Sequence, residues 1–364
     1  MRALHAAAGI LAAGLVLWAA PGRADTITNE DVVEMVKSGL AEKLIVTKIK
    51  TSTCRFDVSA RKLVELKQAN VPDAIIELML EVQKEWLSRL KGAVQVALQG
   101  FRDPDPKQQD RALRDLQRLG PDAIPEIAKQ GLANETAAVR AGSVQAIGLI
   151  AHRDGLEPVM DMIVDREENV RAAAAKALKY VVEDGQKEAV FKRLSAITTD
   201  IEKPGDGAVL ALGYLGDKRA VEDLRRTAKG DTSPKMRKVA VTALGELRDA
   251  ASLELVISRL LEDRDGGVRA AAAMSLAKIG DAKAAPALIK AFERYPQERR
   301  HFVGPMAKFR DPAVVEVFIE ALDDEDSAVK DLAWEGLKLL TGESLKKDRT
   351  VWSEWWELDG KKRF

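Results

Sequence analysis

Few residues in this chain of 364 could carry chemistry: His5, His152 and His301, the single Cys54, and a series of Arg and Asp residues recurring through the middle. Proton transfer or nucleophilic attack needs a base or nucleophile poised near a partner. His152 lies in a turn, His301 follows Arg299 and Arg300, and His5 stands in a leader segment. No Cys pair or His cluster has zinc spacing, and neither a GxxxxGK phosphate loop nor a GxSxG elbow occurs. The sequence therefore predicts no catalytic residue, no metal ligand, no cofactor and no enzymatic activity.

The recurring residues imply an architecture instead. Val139-Arg140-Ala141, Val170-Arg171-Ala172, Met236-Arg237-Lys238, Val268-Arg269-Ala270 and Val329-Lys330-Asp331 stand 31, 66, 32 and 61 residues apart. The two long intervals are close to double the short ones. Degraded copies fill them, at Pro204-Gly205 leading into Ala211-Leu212-Gly213 and at Arg299-Arg300 leading into Pro305-Met306-Ala307-Lys308. A further copy stands in front at Gln109-Asp110-Arg111-Ala112-Leu113, giving seven or eight helix pairs. Val268, Ala272, Ser275, Leu276 and Ile279 form one helical stripe, repeated as Met236, Ala240, Ala243, Leu244 and Leu247. A turn comes next (Gly216-Asp217, Arg248-Asp249, Gly280-Asp281, Arg310-Asp311), then a second amphipathic helix. One pair alone leaves a face open, and stacking its neighbours closes the core.

From roughly Asp110 to Gly342 the chain resembles HEAT repeats of the short, Ala-rich, phycobilisome-lyase-like type. The resemblance implies a structural ladder between neighbouring repeats, in which an Asp of the inter-repeat turn meets an Arg of the next first helix. Asp265 before Arg269 and Asp326 before Lys330 fit that pattern. Asp165, six residues before Arg171, fits it more loosely, Glu135 stands before Arg140, and Arg237 completes the set. Each such acid would also cap a helix N-terminus. HEAT enzymes with a di-iron centre hold it through repeated His-Glu dipeptides, and this sequence has none. Chromophore-attaching lyases share the repeat type, so a lyase-like enzyme or accessory handling a tetrapyrrole or other small molecule is the alternative function.

Before the array comes an apolar run, Ala6 to Ala20, after Arg2 and ahead of Gly22 and Ala24, which reads as a secretory signal peptide cleaved before Asp25. It is short for a membrane span, so no stable span is expected after cleavage. Four short helices come after it. Thr28 caps the first, which Gly39 ends; Leu44 to Ile49 form the second, Ser59 caps the third, and Asn70 with Pro72 starts the fourth. Thr28 to Leu80 resembles a small module recurring at the N-terminus of exported bacterial proteins. Cys54 has no disulfide partner and is expected to be buried in its central turn. At the far end Trp352, Trp355 and Trp356 share a helical face and resemble the Trp-x-x-Trp-Trp tail that closes exported bacterial HEAT arrays.

Composition agrees with this picture. Charged residues make up 31%, aromatics 5%, and 57 basic balance 57 acidic side chains. Glu222, Asp223, Arg225 and Arg226 on one second helix, and Glu254 with Arg259 on another, mix signs and leave no phosphate track, which excludes nucleic acid. The fold expected is all-α, a right-handed α-α superhelix (HEAT solenoid) preceded by a small helical module. Its divisions are a signal peptide (1–24), a four-helix module (25–82), a connecting helix (83–104), the array (105–342) and a Trp-rich C-terminal cap (343–364). The function expected is a non-enzymatic scaffold or adaptor, periplasmic or secreted, that holds a protein or peptide on its concave face. Candidate partner-binding residues are Arg299, Arg300 and His301 in a segment that breaks the period, with Trp352, Trp355 and Trp356 in the tail.

Overall fold

In the computed structural model, residues 26–199 and 204–364 are described. The signal segment lies outside them, as do residues 200–203 of the polar link before Asp206. The chain divides into two compact units, one ending at Ala97 and the other running from Leu98 to Phe364.

The first unit contains β1 (Thr26–Ile27), α1 (Asn29–Lys37), α2 (Glu42–Thr51), β2 (Thr53–Cys54), α3 (Ala60–Gln68) and the start of α4 (Asp73–Gln99). Thr28 and Asp31 form a reciprocal capping box: the Thr28 hydroxyl accepts from the Asp31 N–H at 3.4 Å, and Asp31 accepts from the Thr28 N–H at 2.7 Å. Ser59 holds the N-cap position of α3, but its hydroxyl makes no cap bond, and its own N–H donates to Asp57. The fourth helix and the connecting helix expected beyond it are one helix of 27 residues, since no Gly or Pro interrupts Asp73 to Lys91. A parallel two-residue pairing of β1 with β2, Ile27 opposite Cys54, was not legible in so short a segment.

Val32, Ile45, Ile49, Phe56, Leu66, Ile75 and Met79 fill the core of this unit. Cys54 is buried among them, with its thiol 3.2 Å from the Ile49 carbonyl, and burial pushes its pKa up. A buried thiol held in its neutral form is a packing group. Buried Asn29 ties α1 to the turn after β2: its amide donates to the Asp57 carbonyl at 2.8 Å and its carbonyl accepts from the Asp57 N–H at 2.9 Å. Asn29→Ala orphans both Asp57 backbone groups and is expected to destabilise this unit by about 1–3 kcal/mol. Faster amide exchange at Asp57, with the array's exchange unchanged, is the measurement that checks it.

The second unit alternates two helix types. It runs α5 (Pro106–Leu119) with α6 (Ile124–Ile127), α7 (Ala137–Ile150) with α8 (Leu156–Asp161), α9 (Glu168–Val181) with α10 (Lys187–Thr199), and α11 (Asp206–Leu215) with α12 (Val221–Gly230). It continues with α13 (Pro234–Glu246) and α14 (Leu253–Glu262), α15 (Gly266–Ile279) and α16 (Ala284–Arg294), α17 (Arg300–Met306) and α18 (Pro312–Glu320), then α19 (Ser327–Thr341) and α20 (Arg349–Leu358). This is an all-α solenoid of HEAT type. The two degraded copies read from the sequence form α11 and α17.

Successive first helices pack side by side: α7 on α9, α9 on α11, α11 on α13, α13 on α15. Of the sequence stripe, Val268, Ala272, Ser275 and Leu276 are buried, as are Ala240, Ala243 and Leu244 one repeat earlier, while Ile279, Met236 and Leu247 are half-buried. The closeness of the stack explains the Ala and Gly content. A Cβ on Gly213 would stand 2.6 Å from the Ala243 Cα, and one on Gly245 2.5 Å from the Ser275 Oγ. Only small side chains let these helices approach so near.

Several of the turns between first and second helix take a left-handed residue. Gly216 and Gly280 supply it at φ of 74° and 77°, but Arg248 adopts φ of 49° with a full side chain. Arg248→Gly relieves that strain and is expected to raise stability by about 1 kcal/mol, read as a higher denaturation midpoint.

Candidate protein-binding surface

The Arg series, the strongest chemical signal in the sequence, is bonded throughout, with Arg140 and Arg171 buried and Arg237, Arg269 and Arg299 partly so. Arg140 on α7 forms a two-pronged pair with Asp165, Nε to Oδ2 at 2.8 Å and Nη2 to Oδ1 at 2.9 Å, and its Nη1 donates to the carbonyls of Asn134 and Glu135. Arg237 on α13 repeats this with Asp263 at 2.8 and 2.9 Å and with the carbonyls of Asp231 and Thr232. Arg171 on α9 meets Asp206 at 2.9 and 3.0 Å, and Arg269 on α15 meets Glu298. Arg299 continues the series, with Nη1 2.7 Å from Asp324. Each Arg therefore holds its own preceding turn through carbonyls and reaches forward to an acid of the next repeat. Burial pushes the Asp165 and Asp263 carboxyls upward, but the hydrogen bonds from Arg140 and Arg237 outweigh it and hold both below the usual carboxylate range.

This geometry corrects the register of the expected ladder. Asp265 and Asp326 are helix caps, accepting from the N–H groups of Val268 and Ala328 at 3.0 and 2.8 Å. Lys330 makes no salt bridge among the described residues: its ammonium stands where α7, α9, α13 and α15 carry a guanidinium. The acids that sequence reasoning passed over, Asp206, Asp263, Glu298 and Asp324, lie one repeat ahead of their Arg. A signal for part of the set was present. Asn134, Asp165, Asp231, Asp263 and Asp324 each stand six residues before an Arg or Lys of the repeat, and in each the side chain accepts from the N–H two residues on. The turn that receives one Arg side chain is thus the turn whose carbonyls grip the next.

The other candidates scatter. Arg299 is committed to Asp324 and to the face of Phe292, 4.9 Å from its centroid. Arg300 and His301 are exposed at the start of α17. Trp352 and Trp356 are buried, 0% and 3% exposed, so they offer no surface to a partner; Trp355 is half-buried. His152 accepts from the Asp154 N–H at 3.3 Å in the turn before α8, in a different repeat from His301. No group of three His, Cys, Asp or Glu among the described residues is placed to hold a metal ion.

The second helices present one of the outward surfaces. Much of its charge is neutralised locally: Arg193 reaches Glu157, Arg219 reaches Glu188 at 2.6 Å, and Arg225 and Arg226 reach Glu222 and Asp223. Exposed pairs of this kind contribute little to stability, about 0–1 kcal/mol each, so their placement is free to vary with what the surface meets. Open grooves interrupt the described surface. One of about 450 Å³ lies between α1 and α3, over Val33 and Leu66. Another of about 620 Å³ lies between α16 and α18.

The HEAT-repeat family model matches residues 126–202, 206–266 and 228–301. No curated protein matches the chain. Among solved structures it is similar to the complex of CpcE and CpcF of phycocyanin lyase from Nostoc sp., with 17% identity, a TM-score of 0.38, and coverage of 68% of this chain and 94% of that one. Human deoxyhypusine hydroxylase gives 20%, 0.32, 70% and 98% in the same order. Kap121p gives 12%, 0.41, 90% and 46%.

Proposed function

HEAT repeats build the array, and we propose that the protein is a non-enzymatic scaffold of the cell envelope, exported by its N-terminal segment, that holds a protein partner on the second-helix face. The observation that carries this reading is the fate of the chemically capable residues. The buried Arg and acid groups are consumed in joining one repeat to the next, and the exposed groups form a long surface of mixed charge. Stacked helix pairs present such surfaces rigidly, so a partner binds without ordering the scaffold.

Photo-crosslinking groups placed at Lys229 and Lys290, exposed on α12 and α16, are expected to join one and the same envelope protein. The same groups at Lys176 and Lys179, exposed on first helix α9, are expected not to. Equal labelling from both helix types overturns the assignment. Failure to recover a partner, together with an absorbance change on mixing with a tetrapyrrole, favours the lyase-like reading.

A further inference from the structure

We propose that Arg259, on α14 between α12 and α16, is the residue by which the scaffold takes hold of its partner protein: it receives a single carboxylate set among apolar side chains. This rests on the scaffold reading and gives that surface a chemistry. α14 packs against α12 on one side and α16 on the other. Both neighbours expose several charges, Glu222, Asp223, Arg226 and Lys229 on α12 and Lys290, Glu293 and Arg294 on α16. α14 exposes Glu254 and Glu262 alone, and Leu255, Ile257, Ser258, Arg259 and Leu261 between them are half-buried. An apolar centre with a charged rim, and an Arg within it, is the anatomy of a binding hot spot.

The bonding of Arg259 sets it apart. A guanidinium has five N–H donors. Nη1 of Arg259 stands 3.4 Å from Asp263 Oδ2, Nη2 stands 3.3 Å from Ser258 Oγ, and Nε is enclosed with no acceptor among the described residues. Asp263 has nothing closer to give: Arg237 takes both its oxygens at 2.8 and 2.9 Å, and the Asp265 N–H donates to Oδ1 at 3.0 Å. Two guanidinium groups therefore share one carboxylate. The arginines of α10 and α12 are better matched. Arg193 has both Glu157 oxygens at 2.8 and 3.0 Å, and Arg225 has Ser252 at 2.8 Å and Asp249 at 2.6 Å. A cation in the last turn also suits a helix C-terminus, yet Arg259 bonds no carbonyl there among the described residues. An enclosed N–H without an acceptor is costly, and an acceptor brought by a partner removes that cost.

The surroundings select the acceptor. A carboxylate matches the guanidinium fork in both charge and geometry. Its carrier needs an apolar body, since Leu255 lies one turn before Arg259 on the same side of the helix. Glu262 accepts from the Ser258 hydroxyl at 2.9 Å and is in no salt bridge among the described residues, so together with Glu254 it repels a run of acids. One carboxylate among apolar residues is admitted, and a polyacidic tract is not. The two long bonds release the Arg259 side chain at little cost, so it extends to meet the group it receives.

The test uses the full chain with hydrocinnamate as the probe, followed by NMR through the Arg259 Nε–H resonance, which is assigned by its loss in Arg259→Gln. Saturable movement of that resonance is expected, with affinity about fivefold or more above that for acetate because the ring covers apolar surface. Hydrocinnamamide, of the same shape without the charge, is expected to leave the resonance in place. In the envelope crosslinking experiment Arg259→Gln is expected to cut the yield from Lys229 and Lys290 about tenfold, and Arg259→Lys to restore it only in part. Asp263 keeps both fork bonds from Arg237, so these variants keep the thermal midpoint. A resonance unmoved by hydrocinnamate, equal movement with the amide, or acetate binding as tightly as hydrocinnamate, the mark of an adventitious ion only, each overturns the proposal. If crosslinks form in the unaltered chain and persist undiminished in Arg259→Gln, the anchor assignment fails and the scaffold reading stands. If the probe behaves as expected but neither position crosslinks a partner in the unaltered chain, the scaffold reading fails alone.

Discussion

Arg140→Ala is expected to lower the stability of the array by about 3–5 kcal/mol, because it leaves the Asp165 carboxylate buried without its counter-charge. Both side chains are more than nine-tenths buried, at 6% and 8% exposure, and Arg140 also satisfies two carbonyls of the preceding turn. The double replacement Arg140→Met with Asp165→Leu removes the unmatched charge and is expected to recover most of the loss. Denaturant titration of the three proteins checks this. Recovery no greater than in the single variant shows that the fork bonds, and not the stranded charge, set the cost. Acid probes the same pair from the other side. Folded Asp165 binds its proton less tightly than the unfolded chain does, so protonation favours unfolding. The contribution is complete above the ordinary carboxylate pKa of about 4 and disappears as pH falls through the lower folded value. A midpoint that stays flat from neutrality to weak acid and then drops is the expected profile, with a smaller drop in the double variant, where Asp263 still contributes.

Trp352→Ala is expected to cost about 3–5 kcal/mol, the range for emptying a fully buried aromatic site. Trp352 is completely enclosed, edge-on to Trp355 at 5.6 Å between ring centroids. Beside it Trp356 is buried and donates to Glu316 at 3.1 Å, tying α20 onto α18. The loss is expected to fall on the C-terminal repeats, seen as faster amide exchange in α18 and α19 with α7 unchanged. Uniform loss along the whole array would show that the Trp cluster acts on more than its own end.

Periodicity made the repeats legible. A stripe such as Ala240, Ala243 and Leu244 is dictated by which residues must face a neighbour, and that information is local to each helix. Thr28 with Asp31 was legible for the same reason, since a capping box is complete within four residues. The partners of the Arg series were not, because the bond joins residues 25 to 35 positions apart, as in Arg140 with Asp165 and Arg171 with Asp206. Spacing within one turn suggested Asp265 for Arg269, whereas packing brought Glu298. Ser59 shows the limit of residue type as a guide: it stands at the right position, yet its hydroxyl does not bond the helix it precedes. Trp352, Trp355 and Trp356 were grouped correctly on one helical face, and only burial separates an aromatic that closes a core from one that waits for a guest.

The forward reach of the Arg side chains gives the stack a grammar for cutting and splicing. Removing one whole period, from just after one ladder Arg to the next such Arg, rejoins a guanidinium to a turn built to receive it. Residues 238–269, from behind Arg237 through Arg269, are such a unit: after their removal Arg237 faces Glu298 in place of Asp263, one carboxylate for another. An excision that ends between an Arg and its acid has no such remedy, since it strands a charge inside the protein. Shortened or lengthened versions of this scaffold are therefore expected to fold in whole-period steps.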